Sequence, residues 1–79
     1  STTIPFDVPT NSQVTMTIYN MSGQKVLEPI RQEVFNSGSY NVNVDFSNLA
    51  SGVYIYRLYL RAEAGGDDAM QSKKMTYIK

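Results

Sequence analysis

Asn48-Leu49-Ala50-Ser51-Gly52-Val53-Tyr54-Ile55-Tyr56-Arg57-Leu58-Tyr59-Leu60 begins as a turn and continues as the longest β-type run in the chain. Asn48, Ser51 and Gly52 carry turn chemistry: glycine reaches positive φ without a Cβ clash, and Asn and Ser bond their own backbone. From Val53 to Leu60, β-branched and aromatic residues dominate, as on a pleated, half-buried surface. Tyr54, Tyr56, Leu58 and Leu60 fall on one face, and Val53, Ile55, Arg57, Tyr59 and Arg61 on the other. The first face is uniformly large and mostly apolar, so it is expected to line the core. The second is mixed, which suits a sheet surface open to water or a partner. This run reads as a central strand.

The chain around it alternates in the same way. Ile4, Phe6 and Val8 share a face, with Pro5 placing that strand at a sheet edge because it has no amide to donate. Val14, Met16 and Ile18 alternate with Thr15, Thr17 and Tyr19, the pattern of a half-buried antiparallel strand. Asn20-Met21-Ser22-Gly23 is a tight connection into Gln24–Leu27, which together form a β-hairpin. Pro29 is expected to end that strand, and Ile30 to Phe35 reads as a separate, weaker one. Tyr40, Val42, Val44 and Phe46 alternate against Asn41, Asn43 and Asp45. Ala69 to Lys79 is ambiguous: Met75 and Tyr77 share one side, Met70 and Ile78 the other. No window sustains an i, i+3, i+4 apolar pattern, so no substantial helix is expected. About seven short strands with regularly spaced turns imply an all-β, small antiparallel sandwich.

Seventy-nine residues make one domain, 1–79, with 42% hydrophobic and 18% charged residues. No apolar run approaches the roughly 20 residues of a membrane-spanning helix. Seven basic residues balance seven acidic ones, which argues against a nucleic-acid partner held by bulk charge. The chain opens on Ser1 with no leader pattern, so it reads as a piece of a longer protein.

Catalytic chemistry finds little to work with. There is no Cys for a thiolate nucleophile or zinc site and no His to act as the usual general base. Asp67-Asp68, the one adjacent carboxylate pair, lies in a Gly-flanked loop; a solvated turn and a weak calcium site are its two readings. Neither an enzyme, a cofactor nor a small-molecule substrate is expected. Tyr19, Tyr59 and Tyr77 are candidates for a stacking platform, against the plain preference of Tyr for strands. Asn20-Met21-Ser22 matches a glycosylation sequon but is accounted for as a turn.

Four pieces in fixed order carry a resemblance: Thr3-Ile4-Pro5-Phe6-Asp7-Val8-Pro9, Val14-Thr15-Met16-Thr17-Ile18-Tyr19-Asn20-Met21-Ser22-Gly23-Gln24-Lys25-Val26, Leu49-Ala50-Ser51-Gly52-Val53-Tyr54-Ile55-Tyr56-Arg57-Leu58, and the closing Lys73-Lys74-Met75-Thr76-Tyr77-Ile78-Lys79. The chain resembles the type A C-terminal sorting domains of proteins exported by the type IX secretion system of Bacteroidetes. It departs from their pattern by starting after the usual Asn-Pro element and by a long connection from Arg61 to Met70. The Ig-like module of flagellar hook-capping proteins has a similar grammar.

The resemblance implies an immunoglobulin-like sandwich and a non-catalytic signal carried behind an N-terminal cargo domain. Its partners would be the outer-membrane translocation machinery and a surface sortase-like peptidase. Carried over residue by residue, recognition would fall on Gly52 and Tyr54 of the Gly-x-Tyr element, on Lys73 and Lys74, and on Met75, Ile78 and Lys79. The product would be secreted or held at the cell surface. A different class remains beside it: an accessory binding or spacer module of an extracellular enzyme, using its Tyr-bearing face.

Overall fold

The computed structural model describes residues 2–65 and 68–79. Six strands follow one another: β1 (Thr2–Val8), β2 (Ser12–Asn20), β3 (Lys25–Phe35), β4 (Gly38–Val44), β5 (Gly52–Ala62) and β6 (Ala69–Tyr77). No helix occurs among the described residues. The strands form two antiparallel sheets, β1-β4 and β3-β2-β5-β6, so the sandwich is two strands over four.

The alternation read from the sequence sets the core. Ile4, Phe6 and Val8 of β1, Val14, Met16 and Ile18 of β2, and Tyr54, Leu58 and Leu60 of β5 are buried, with Phe46 fully so. β5 is central: it pairs with β2 from Asn20↔Tyr54 to Ser12↔Ala62 and with β6 from Gly52↔Tyr77 to Leu60↔Ala69, without a register shift. Two aromatic groups close the ends. Phe6, Phe35 and Tyr40 meet with ring centroids 4.9–5.6 Å apart, and Phe46 meets Tyr54 and Tyr77 at 5.6 and 4.9 Å. Such pairs add about 0.5–1.5 kcal/mol each beyond their buried area.

Three local expectations are corrected. Lys25–Leu27 and Ile30–Phe35 are one strand, because the β2–β3 pairing absorbs the extra residues as register shifts between Val14 and Met16, Met16 and Ile18, and Ile18 and Tyr19. Pro29 therefore does not end β3. It lies within a strand whose other side has no partner strand, where a missing amide costs least. Thr17, expected to face outward into solvent, is buried at 7% exposure. It sits opposite Arg57, whose guanidinium leaves its own row to lie 5.1 Å over the Tyr19 ring, so the arginine stem runs along the sheet. Gln32 at the β3 irregularity has φ 48°, and its amide donates to Thr15 Oγ1 at 3.2 Å. A bulge that turns the edge away in this manner protects it from pairing with another chain.

Candidate functional site

The turn from Asp45 to Gly52, the start of β5 and the end of β6 converge at one corner. Local hydrogen bonds build the turn: the Ser47 amide donates to Asp45 Oδ1 (2.9 Å) and the Leu49 amide to the Phe46 carbonyl (2.8 Å). These bonds deliver Phe46 into the core. The backbone and then the side chain of Ser47, both bonding the Asp45 carboxylate, hold its pKa below the usual value.

Tyr54 locks the same turn from the other side. Its ring meets Phe46 edge-on at 5.6 Å, and its hydroxyl donates to the Ala50 carbonyl, four residues upstream, at 2.6 Å. Tyr77, cross-strand from Gly52, packs on Phe46 at 4.9 Å. Past the end of β6, the Lys79 amide donates to Ser51 Oγ at 2.8 Å. The chain's last residue is thus tied to the turn that opens β5.

Gly52 does not have the role expected of it. Left-handed φ belongs to glycines elsewhere, such as Gly23 in the β2–β3 connection at 85°, whereas Gly52 enters the strand without positive φ. A Cβ built on Gly52 would meet nothing within 4 Å. Neither backbone strain nor crowding within the fold requires glycine there. A side chain at this position would project into open space.

Lys73 and Lys74 separate onto opposite faces of β6. Lys73 is cross-strand from Tyr56 and shares the inner face; Lys74 is cross-strand from Ile55 and shares the outer one. Both are exposed, and neither forms an ion pair among the described residues, where the pairs are Lys25–Glu28 and Arg31–Glu28. Met75 is half-buried beside Tyr54. Ile78 is 82% exposed, the most open large apolar side chain among the described residues. Gly52, Tyr54, Met75, Ile78 and Lys79 therefore meet at the corner, while Lys73 and Lys74 sit along the adjoining edge.

The structure gives most of the other candidate residues ordinary local roles. Tyr77 leaves the proposed platform, because its ring belongs to the Phe46 group. Tyr19 has Arg57 over its face, and the Tyr59 hydroxyl donates to Asp68 Oδ2 at 2.6 Å, a bond that raises the phenol's pKa. Asp67 lies outside the described residues, and among the described ones no three metal-ligating side chains cluster. Asn20 works as turn chemistry: its Oδ1 accepts from the Ser22 and Gln24 amides, both at 3.0 Å. Two contributors to the corner were missed by the sequence reading, Phe46 as the pin and Ser51 as the clasp for Lys79. The alternation of Tyr40 to Phe46 marked Phe46 as buried, but no local pattern announces a bond across 28 residues.

Nothing among curated proteins or solved structures matches this chain. One family model, described as the secretion system C-terminal sorting domain, matches residues 1–74. The match includes Gly52, Tyr54, Lys73 and Lys74; Met75, Ile78 and Lys79 lie beyond it. Domains of this kind are non-catalytic signals that act with the type IX secretion machinery on a cargo, sending it across the outer membrane to the surface or the medium. With nearly all of its length matched, and with the antiparallel sandwich that the strand pattern required, the chain belongs to the secretion system C-terminal sorting domain family and is a sorting signal for type IX export.

Proposed function

We propose that the machinery reads this signal at the corner where Gly52, Tyr54, Met75, Ile78 and Lys79 meet, and along the β6 edge that carries Lys73 and Lys74. The domain, 1–79, is the terminal unit of a longer secreted protein. It has no catalytic part in the export, serves as the ligand, and is removed afterward by a sortase-like peptidase at the surface. One observation carries the reading: Gly52 occupies a position where a Cβ would meet nothing, so the fold gives no reason for glycine while a close-approaching partner would. Close to Gly52 in the chain or across the strand pair stand the exposed Ile78 and the Lys79–Ser51 clasp, an apolar side chain beside a fixed backbone.

The β6 edge supports the same reading. It is unbulged against β5 and, among the described residues, has no partner on its far side. A strand laid along it would gain main-chain bonds, and because the two lysines face opposite ways it would meet one on each face. An acidic acceptor would be steered there by two adjacent lysines in a domain of zero net charge.

The test is Gly52→Val in a reporter fusion. Valine suits an extended position and has room, so the melting temperature should stay unchanged or rise slightly. Export of the fusion to the surface or medium should be lost. A Gly52→Val domain that melts normally and still exports its cargo would remove Gly52 from the recognition site.

A further inference from the structure

The two sheets are unequal, and the shortfall is all on one side. β4 lies against β3, where Asn43 to Asp45 line a hollow with Leu27 to Pro29. β1 is the other member of the small sheet, and it stops short of β6. Between them runs a cleft of about 190 Å³, walled by Pro5 to Asp7 of β1, floored by Tyr56 and Leu58 of β5, and bounded by Gln71 and Lys73 of β6. On β6 the inward positions nearer the chain's end, Met75 and Tyr77, are half-buried, whereas Gln71 and Lys73 on that same face are exposed. On its inner face β6 is therefore uncovered at Gln71 and Lys73, where a third strand beside β1 would lie.

We infer that this cleft is an acceptor for one extended strand of the export machinery, a segment with apolar residues and a carboxylate on its inward face. The inference rests on the machinery docking at this end of the domain, and it supplies the partner's chemistry. Four features of the cleft define the occupant. Among the described residues β1 pairs with β4 alone, so its other edge is unpaired there. Sheets pack about 10 Å apart, the separation at which side chains of an added strand reach a floor such as Tyr56 and Leu58. Lys73 stands at the floor's margin with no ion-pair partner among the described residues. Asp7, the cleft's other charge, already accepts a hydrogen bond from Ser39 Oγ at 2.8 Å.

A carboxylate on the incoming strand would pair with Lys73, the cation among the residues lining the cleft. Pro5 removes one donor from β1, so backbone pairing alone cannot fill the cleft, and selectivity falls to the half-buried Tyr56 ring and to Lys73.

Two measurements test this. In the first, the ¹⁵N-labelled domain is titrated with the capped peptide Thr-Val-Thr-Glu-Thr-Val-Thr, which matches β1 in length and puts both valines and the glutamate on one face. Amide shifts are expected in Thr3 to Asp7 and Gln71 to Lys73. Replacing the peptide's glutamate by lysine, or making Lys73→Glu in the domain, should weaken binding by about tenfold, the scale of one charged contact. Shifts confined to β3 or the outer face, no shifts at about 1 mM peptide, or binding indifferent to charge would overturn the assignment. Shifts that depend on the domain's own concentration without peptide would put a second copy there and overturn it equally.

In the second, Gln71→Trp fills the cleft from an exposed position, and Ser72→Trp puts the same ring on the opposite face. Export should fail for the first and persist for the second. Normal export of Gln71→Trp, with Gly52→Val still blocked, would sink the cleft while leaving the corner standing. Normal export of Gly52→Val would instead count against the corner, and the peptide titration would then decide the cleft alone.

Discussion

Tyr54 concentrates the corner's energetics in one side chain. Its ring is buried against Phe46, and its hydroxyl spans the turn to Ala50. Truncation to alanine should cost about 3–5 kcal/mol, as for a large core side chain. Tyr54→Phe keeps the ring and loses only the bond, so about 1 kcal/mol is expected. Denaturant melts of the two variants check both values; an alanine variant as stable as the parent would contradict the inward facing of Tyr54.

Tyr59 offers a second test at this scale. Its bond to Asp68 raises the phenol's pKa above the ordinary tyrosine value. A raised pKa means stabilisation that is fully present below the unfolded tyrosine value and lost as pH rises through the folded one. Ultraviolet titration should show a late-ionising tyrosine component that Asp68→Asn shifts to lower pH. Residue roles of this local kind were legible where the contact lies within a few positions. The Asn20 turn was read correctly, but the Gly52 backbone was not. Turn-forming composition around Ser51 and Gly52 does not say whether the glycine closes the turn or opens the strand.

At the scale of strands, period-2 alternation identified β1, β2, β4 and β5 with their inward faces, because a buried face imposes large apolar residues at every second position. It failed on β3. A bulged strand breaks its own alternation, so residues 25–35 read as two pieces separated by Pro29. The facing of the last strand was ambiguous for a related reason. β6 has an edge position and exposed residues through most of its length, so burial writes little into its sequence. Hydrogen exchange should follow the same division. Amides of β2 and β5, flanked by strands on both sides, should exchange slowest, and those of β6 and β1 by local opening well below the global stability. Slower exchange in β6 than in β5 would contradict the strand order.

For the whole molecule, the all-β class and the sorting role could be read from the ordered motifs, but the two-over-four arrangement could not. Which strands neighbour one another depends on pairings such as Thr2↔Val44 and Gly52↔Tyr77, made across long sequence separations with no local signature. That arrangement exposes the inner face of β6, splits the lysine pair between two faces, and brings Lys79 back to Ser51. On the proposed reading, the domain is a folded ligand whose readable surface is assembled by its last strand.

The most direct measurement is export of a periplasm-targeted fluorescent protein fused to residues 1–79, compared with Lys73→Glu/Lys74→Glu, in a host that has the type IX machinery. Both lysines are exposed and without ion-pair partners among the described residues, so the two domains should melt alike. The parent fusion should reach the surface or medium, and the charge-reversed one should stay in the periplasm. Equal export of both, with the fold intact, would contradict recognition along β6.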